Sequence, residues 1–220
     1  MVKPFEFKQC INILKSTGEK AISLRELRKQ IASVSDVTIF HHTYQYFMKG
    51  HILEYTNDFA QWIGENLEEA ALSEQIANID PYEYSQISEL REKLLNVIDE
   101  YFDNFPEPRD TLPGSEFYFV ETITLIFPSG VKAKNLAEFL IAIRYIDAAS
   151  IYYHFYEARI RLGSGADDFS KWIKDTLGKN ELAENIMGID PFMHNIEGIR
   201  EHLEEIIEEE VKKEMESMEI

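Results

Sequence analysis

The chain has 220 residues, 45% of them hydrophobic and 28% charged, with a formal net charge of -18; this is the balance of a globular domain, not of a disordered or membrane-embedded segment. So large an acidic excess argues against nucleic acid, whose binding rests on clustered Lys and Arg that release counterions, and equally against an anionic membrane surface. Cys10 is the single cysteine, so no internal disulfide is expected, and the absence of a signal-like start or an 18-residue apolar run points to a cytoplasmic location.

Taken in chain order, Phe5, Phe7, Ile11 and Ile13 alternate at period two and predict an opening strand, with a helix on Phe7, Ile11 and Leu14 as the alternative. Ser16 to Gly18 reads as the turn that closes it. Ser23 followed by Glu26 is a capping box, predicting a first helix to about Ala32. A second helix carries Ile39, His42 and Tyr44. Asn57-Asp58 ahead of Phe59-x-x-Trp62-Ile63 predicts the start of a third, and Leu72, Ile76 and Ile79 continue at helical spacing. Asp80-Pro81 places a capping side chain before a proline suited to a first helical position. A long amphipathic helix over 86–104 follows, and the prolines at 106, 108 and 113 mark a connector over 106–115.

The same order then returns. Shifted by 112 residues, Phe5, Phe7, Gly18, Leu24, Glu26, His42 and Tyr44 fall on Phe117, Phe119, Gly130, Leu136, Glu138, His154 and Tyr156. Shifted by 110, Asp58, Phe59, Trp62 and Pro81 fall on Asp168, Phe169, Trp172 and Pro191, and at 109 Arg91 and Leu94 fall on Arg200 and Leu203. The sequence thus reads as two homologous repeats, 1–105 and 116–220, joined by 106–115. The expected fold class is α+β and predominantly helical, each repeat having one opening strand and four to five helices, related by a pseudo-twofold; all-α is the alternative if the opening segments are helices. The first capped helix of repeat two, NLAEFLIAIRYI, is apolar almost all round, where repeat one has a narrow stripe of Leu24, Leu27 and Ile31. A helix apolar on every face is expected to be covered on every face, by the other repeat or by another subunit.

The polar residues present in both repeats are His42 and His154, Asp58 and Asp168, and Asp80 and Asp190, near Trp62 and Trp172. A histidine with two carboxylates is the material of a general acid/base site. The competing interpretation is preferred: the aspartates cap helices, the tryptophans anchor each core, and the histidine tethers the second helix by a hydrogen bond. No metal is expected, since His154 and Glu157 stand at i and i+3 but repeat one has Gln45 in place of Glu157, and no HxxxH or CxxC spacing occurs. No cofactor is expected either, in the absence of GxxxxGK[ST], GxGxxG or GxSxG. Aromatic residues cover more than one face of the second helices. Tyr44, Tyr156, His42 and His154, with Arg159 and Arg161, are therefore the candidate binding residues. On the last helix, Ile199, Leu203, Ile206, Val211, Met215 and Met218 form a stripe suited to self-association.

GVKAKNLAEFL, SIYYHFYEARIRLG, DDFSKWI and GIDPF in repeat two, with GEKAISLRELR, TIFHHTYQYF, NDFAQWI and NIDPY in repeat one, resemble a bacterial and archaeal domain family of unknown function. The resemblance implies a soluble tandem module and carries no activity with it. Together these readings describe a non-catalytic interaction or regulatory protein that holds a protein partner or a second copy of itself, possible as a homodimer. The alternative is an enzyme or small-molecule binder with its site at the repeat interface.

Overall fold

Both opening segments are strands, and both run further than their alternating patterns predict. In the computed structural model, which describes residues 3–44, 55–105, 107–161 and 166–218, β1 spans Phe5–Ala21 and β2 spans Phe117–Ala133, hydrogen-bonded to each other as a two-stranded antiparallel sheet. This removes the all-α alternative. The turn expected at Ser16–Gly18 does not end β1, nor does the corresponding 128–130 stretch end β2. Instead Gly18 and Gly130 take positive φ, +83° and +82°, and the strand kinks and continues. A hydroxyl bridges each kink. Thr17 Oγ1 accepts from Glu19 N–H at 3.1 Å and donates to the Phe119 carbonyl at 2.7 Å; Ser129 Oγ accepts from Val131 N–H at 3.1 Å and donates to the Phe7 carbonyl at 2.8 Å.

The helices begin where the caps predict. α1 spans Leu24–Ser33, its first turn closed by Ser23, which accepts from Glu26 N–H, while Glu26 reaches back to Ile22 N–H at 3.0 Å. α2 spans Asp36–Tyr44, α3 Asp58–Asn66, α4 Ala70–Ala77 and α5 Ile87–Asn104, with a short 3-10 turn at Pro81–Glu83 capped by Asp80. After β2, α6 spans Leu136–Tyr145 behind Asn135, with Glu138 accepting from Lys134 N–H at 2.8 Å. In both cases the glutamate bonds the residue before the cap, so one more free donor is satisfied at the helix start. α7, Ala148–Ile151, runs through a π-helical turn, Tyr152–Glu157, into α8, Ala158–Arg161. α9 is Asp168–Leu177, α10 Asn180–Met187 and α11 Ile196–Met218. Gln45, Tyr46, Phe47, Pro106 and the Leu162–Gly165 stretch lie outside the described residues.

The compact bodies divide the chain differently from the sequence repeats. The N-terminal body is Asn12–Ile123, and the C-terminal body joins Met1–Ile11 to Thr124–Ile220. Each body therefore holds part of both long strands. In the C-terminal body, Phe5 and Phe7 of β1 pack with Phe139, Phe169 and Trp172, at ring separations of 4.7 to 6.1 Å. The N-terminal body builds a matching cluster from Phe117 and Phe119 of β2 with Phe59 and Trp62. Each tryptophan also donates to a backbone carbonyl just before the strand it covers: Trp62 Nε1 to Ser115 at 2.7 Å, and Trp172 Nε1 to Lys3 at 2.9 Å. The connector bends back along the N-terminal body, where Thr111 N–H donates to the Ile22 carbonyl at 2.8 Å. Among the described residues no helix is long and apolar enough to cross a membrane.

Candidate functional site

Two histidine–aspartate pairs, one in each body, concentrate the polar residues that recur in the sequence. His42 sits on α2 and His154 in the π-helical turn, each 3% exposed. The Nδ1 of His154 lies 2.8 Å from Asp168 Oδ2, and its Nε2 accepts from the Lys8 backbone N–H at 2.8 Å. His42 repeats the arrangement, with Nδ1 2.8 Å from Asp58 Oδ2 and Nε2 accepting from Val120 N–H at 3.1 Å. Because Nε2 accepts, the neutral ring carries its proton on Nδ1 and donates it to the aspartate. Each imidazole thereby ties a strand to two helices, and neither has a nitrogen left over for a substrate.

This corrects the role expected of Asp58 and Asp168. They do not cap. The caps of α3 and α9 are the residues before them: Asn57 accepts from Ala60 N–H at 2.9 Å and Asp167 from Ser170 N–H at 2.7 Å. The aspartate that follows each cap, already inside the first helical turn, turns toward the histidine. Asp80 and Asp190 do cap, accepting from Tyr82 and Phe192 N–H at 2.8 Å.

Electrostatics fit a structural clamp. Burial pushes the His154 pKa below its ordinary value, only partly offset by Asp168. Burial would raise Asp168, but hydrogen bonds from His154 and Arg161 outweigh it and hold the carboxyl low. Asp167 is fully buried and raised by that burial despite Arg159 and Ser170 nearby, and Glu157 is raised for the same reason. Cys10, buried near Glu157 and Asp147, is pushed up to about 12, which leaves a protonated thiol and no nucleophile.

The remaining candidate residues are engaged within the fold. Tyr44 donates to the Pro81 carbonyl at 2.6 Å and Tyr156 to the His194 carbonyl at 2.7 Å; both hydroxyls are buried, and burial raises their pKa values. Arg159 stacks on Phe155 and donates to the Met187 carbonyl at 3.1 Å. Arg161 stacks on Tyr153 and bonds Asp168 at 2.8 Å. The structure thus gathers His154, Arg161 and Asp168 in the C-terminal body and His42 and Asp58 in the N-terminal one. The aromatic second helices are largely core, since Tyr44, Tyr152, Tyr153, Phe155 and Tyr156 are all buried.

Two features are not visible in the sequence. His41, His42 and Asp58 bring ligand atoms within 4.8 Å of one another, a set that adjacent histidines and a distant aspartate do not advertise. The 2.8 Å His42–Asp58 spacing is that of a hydrogen bond; donors around a tetrahedral ion with bonds of about 2.0–2.1 Å stand about 3.3 Å apart. His154 makes the same bond beside Tyr153, where no such set exists among the described residues, so the bond does not depend on a metal. The second feature is a cleft of about 490 Å³ in the C-terminal body, between the start of β1 and α9. Its walls include Lys3, Lys8, Lys171, Asp168, Asp175 and Trp172.

Comparison with known proteins places this architecture. No functionally curated protein matches the chain. The solved structure of OrfY from Thermoproteus tenax is similar, with 31% identity and a TM-score of 0.81 over 94% of this chain and 95% of that one. A family of unknown function, DUF5752, matches residues 2–208. The family match spans both strands and nearly every helix, and the chain belongs to the DUF5752 family.

Proposed function

We propose that the chain is a duplicated, non-catalytic interaction module, acting in the cytoplasm by holding a protein partner or a second copy of itself. One observation carries this: among the described residues, the histidines and aspartates whose types and recurrence resemble an acid/base site are consumed as fold-holding clamps, both ring nitrogens of His42 and His154 being engaged. A general base needs a lone pair within reach of a substrate proton. Surface chemistry supports the same reading. α6 was expected to be covered on every face, yet Ile141 and Tyr145, one helical turn apart, are 58% and 83% exposed. An isoleucine and a tyrosine side by side in water are the residues that protein interfaces bury. The net charge of -18 disfavours nucleic acid as the partner.

Sedimentation velocity across a concentration series tests self-association. The expected outcome is a concentration-dependent dimer that Tyr145→Glu with Ile141→Glu converts to monomer without lowering the melting temperature. A wild-type monomer at every concentration would remove the second copy from the reading and leave a different protein as partner.

A further inference from the structure

We propose that the cleft between the start of β1 and α9 binds a small molecule bearing a phosphoryl group. The inference goes beyond an interaction module and does not need it. The cleft lies wholly within the C-terminal body, and its volume, about 490 Å³, is in the range of small-ligand sites, roughly 300–1,000 Å³.

Its charge is unlike that of the rest of the chain. Lys3, Lys8 and Lys171 line it, and among the described residues none of the three makes an ion pair. Three carboxylates share the walls, and two of them have cationic partners outside the cleft: Glu6 has Lys132 at 2.6 Å and Asp168 has Arg161 at 2.8 Å. His154, at the floor, is neutral and spent. Counted with Lys132 and Arg161, the three lysines make five cations against Glu6, Asp168 and Asp175, a surplus of two positive charges in a chain of net charge -18. A concavity lined by an excess of cations concentrates anions, and a phosphate monoester, at about -1.5 to -2 near neutral pH, matches the surplus better than a single carboxylate does. Pro4, Phe5 and Trp172 give the cleft an apolar wall for the organic part of such a molecule.

The other half of the chain supplies an internal control. Alignment of the repeats sets Ser115, Val120 and Gln61 against Lys3, Lys8 and Lys171. The tryptophan, the aspartate and the histidine recur there and the cations do not. The clamp is thus common to both halves, while the lysines belong to one. They are not needed to build the fold.

The test uses the two tryptophans of the full chain, whose indole N–H groups give separate signals in a ¹H–¹⁵N spectrum, assigned with Trp→Phe variants. Inorganic phosphate and phenyl phosphate are titrated against chloride at matched ionic strength. The expected result is a saturable shift of the Trp172 signal with Trp62 stationary. Lys8→Ala and Lys171→Ala should each weaken the apparent Kd at least tenfold, while Lys174→Ala, which removes a lysine from the same helix but outside the cleft, leaves it unchanged. Tighter binding of phenyl phosphate would assign an organic phosphate, and equal binding free phosphate; either supports the site. A Trp172 shift that tracks ionic strength without saturating, or that survives the Lys8 and Lys171 variants, overturns it. Unchanged backbone spectra of the variants show that loss of binding is not loss of fold.

Discussion

Protonating His154 would place a second proton on Nε2, where the Lys8 N–H already points. The fold therefore favours the neutral ring, and the folded pKa lies below the ordinary value near 6.5. As pH falls, the unfolded chain takes up this proton first. The stabilisation from His154 is complete above about 6.5 and lost as pH drops through that value toward the folded pKa. Thermal melts should show a downward slope in this window that flattens in His154→Gln. The raised pKa values of Glu157 and Asp167 act in the opposite sense, but they are common to both proteins and cancel in the comparison. Replacing Asp58 or Asp168 by Ala would strand a buried Nδ1–H, at a cost of about 1–3 kcal/mol in denaturant unfolding. The sequence singles out these histidines and aspartates, and it shows a tether as one of their uses. It does not show which of two adjacent polar side chains, Asn57 or Asp58 and Asp167 or Asp168, caps the helix and which turns to the ring, because that depends on a strand N–H from a remote part of the chain.

At the scale of elements, local rules carry furthest where local geometry decides. Ser23 and Asn135 start their helices, and Asp80 and Asp190 cap the steps before Pro81 and Pro191, since each cap needs only its own next three residues. The strands behave otherwise. Ser-x-Gly reads as a turn on local grounds, yet the hydroxyls of Thr17 and Ser129 bridge across to Phe119 and Phe7 and carry the pairing through. Gly18→Ala and Gly130→Ala should each cost about 1–2 kcal/mol, the left-handed backbone term alone, because a Cβ at either position meets nothing within 4 Å. Trp172→Ala should cost more, about 3–5 kcal/mol, as it removes a core aromatic together with its bond to Lys3; equilibrium unfolding distinguishes the two classes. A thermal midpoint unmoved by Trp172→Ala would show that the anchor is dispensable. The lysine-lined cleft was not legible at all, since Lys3, Lys8 and Lys171 are ordinary surface residues until two segments far apart in sequence are brought together.

For the molecule as a whole, the recurring motifs lead one to expect two repeats but do not tell which body each opening strand completes. Local periodicity records which face of a strand is buried and says nothing of its partner. Met1–Ile11 belongs with Thr124–Ile220, through Phe5, Phe7, the Lys8 N–H to His154 and the Trp172 bond to Lys3. Deleting residues 1–11 should therefore strip amide-exchange protection from helices of the 124–220 segment, while those between 12 and 105 keep theirs. Loss confined to the earlier helices would contradict the assignment. The same dependence sets a timetable during synthesis. The first strand leaves the ribosome early, but the helices it serves come only after the 112 residues of Asn12–Ile123 have been made, about 6–22 s at roughly 5–20 residues per second. For that interval Phe5 and Phe7 wait without Phe139, Phe169 and Trp172, the rings they finally pack against.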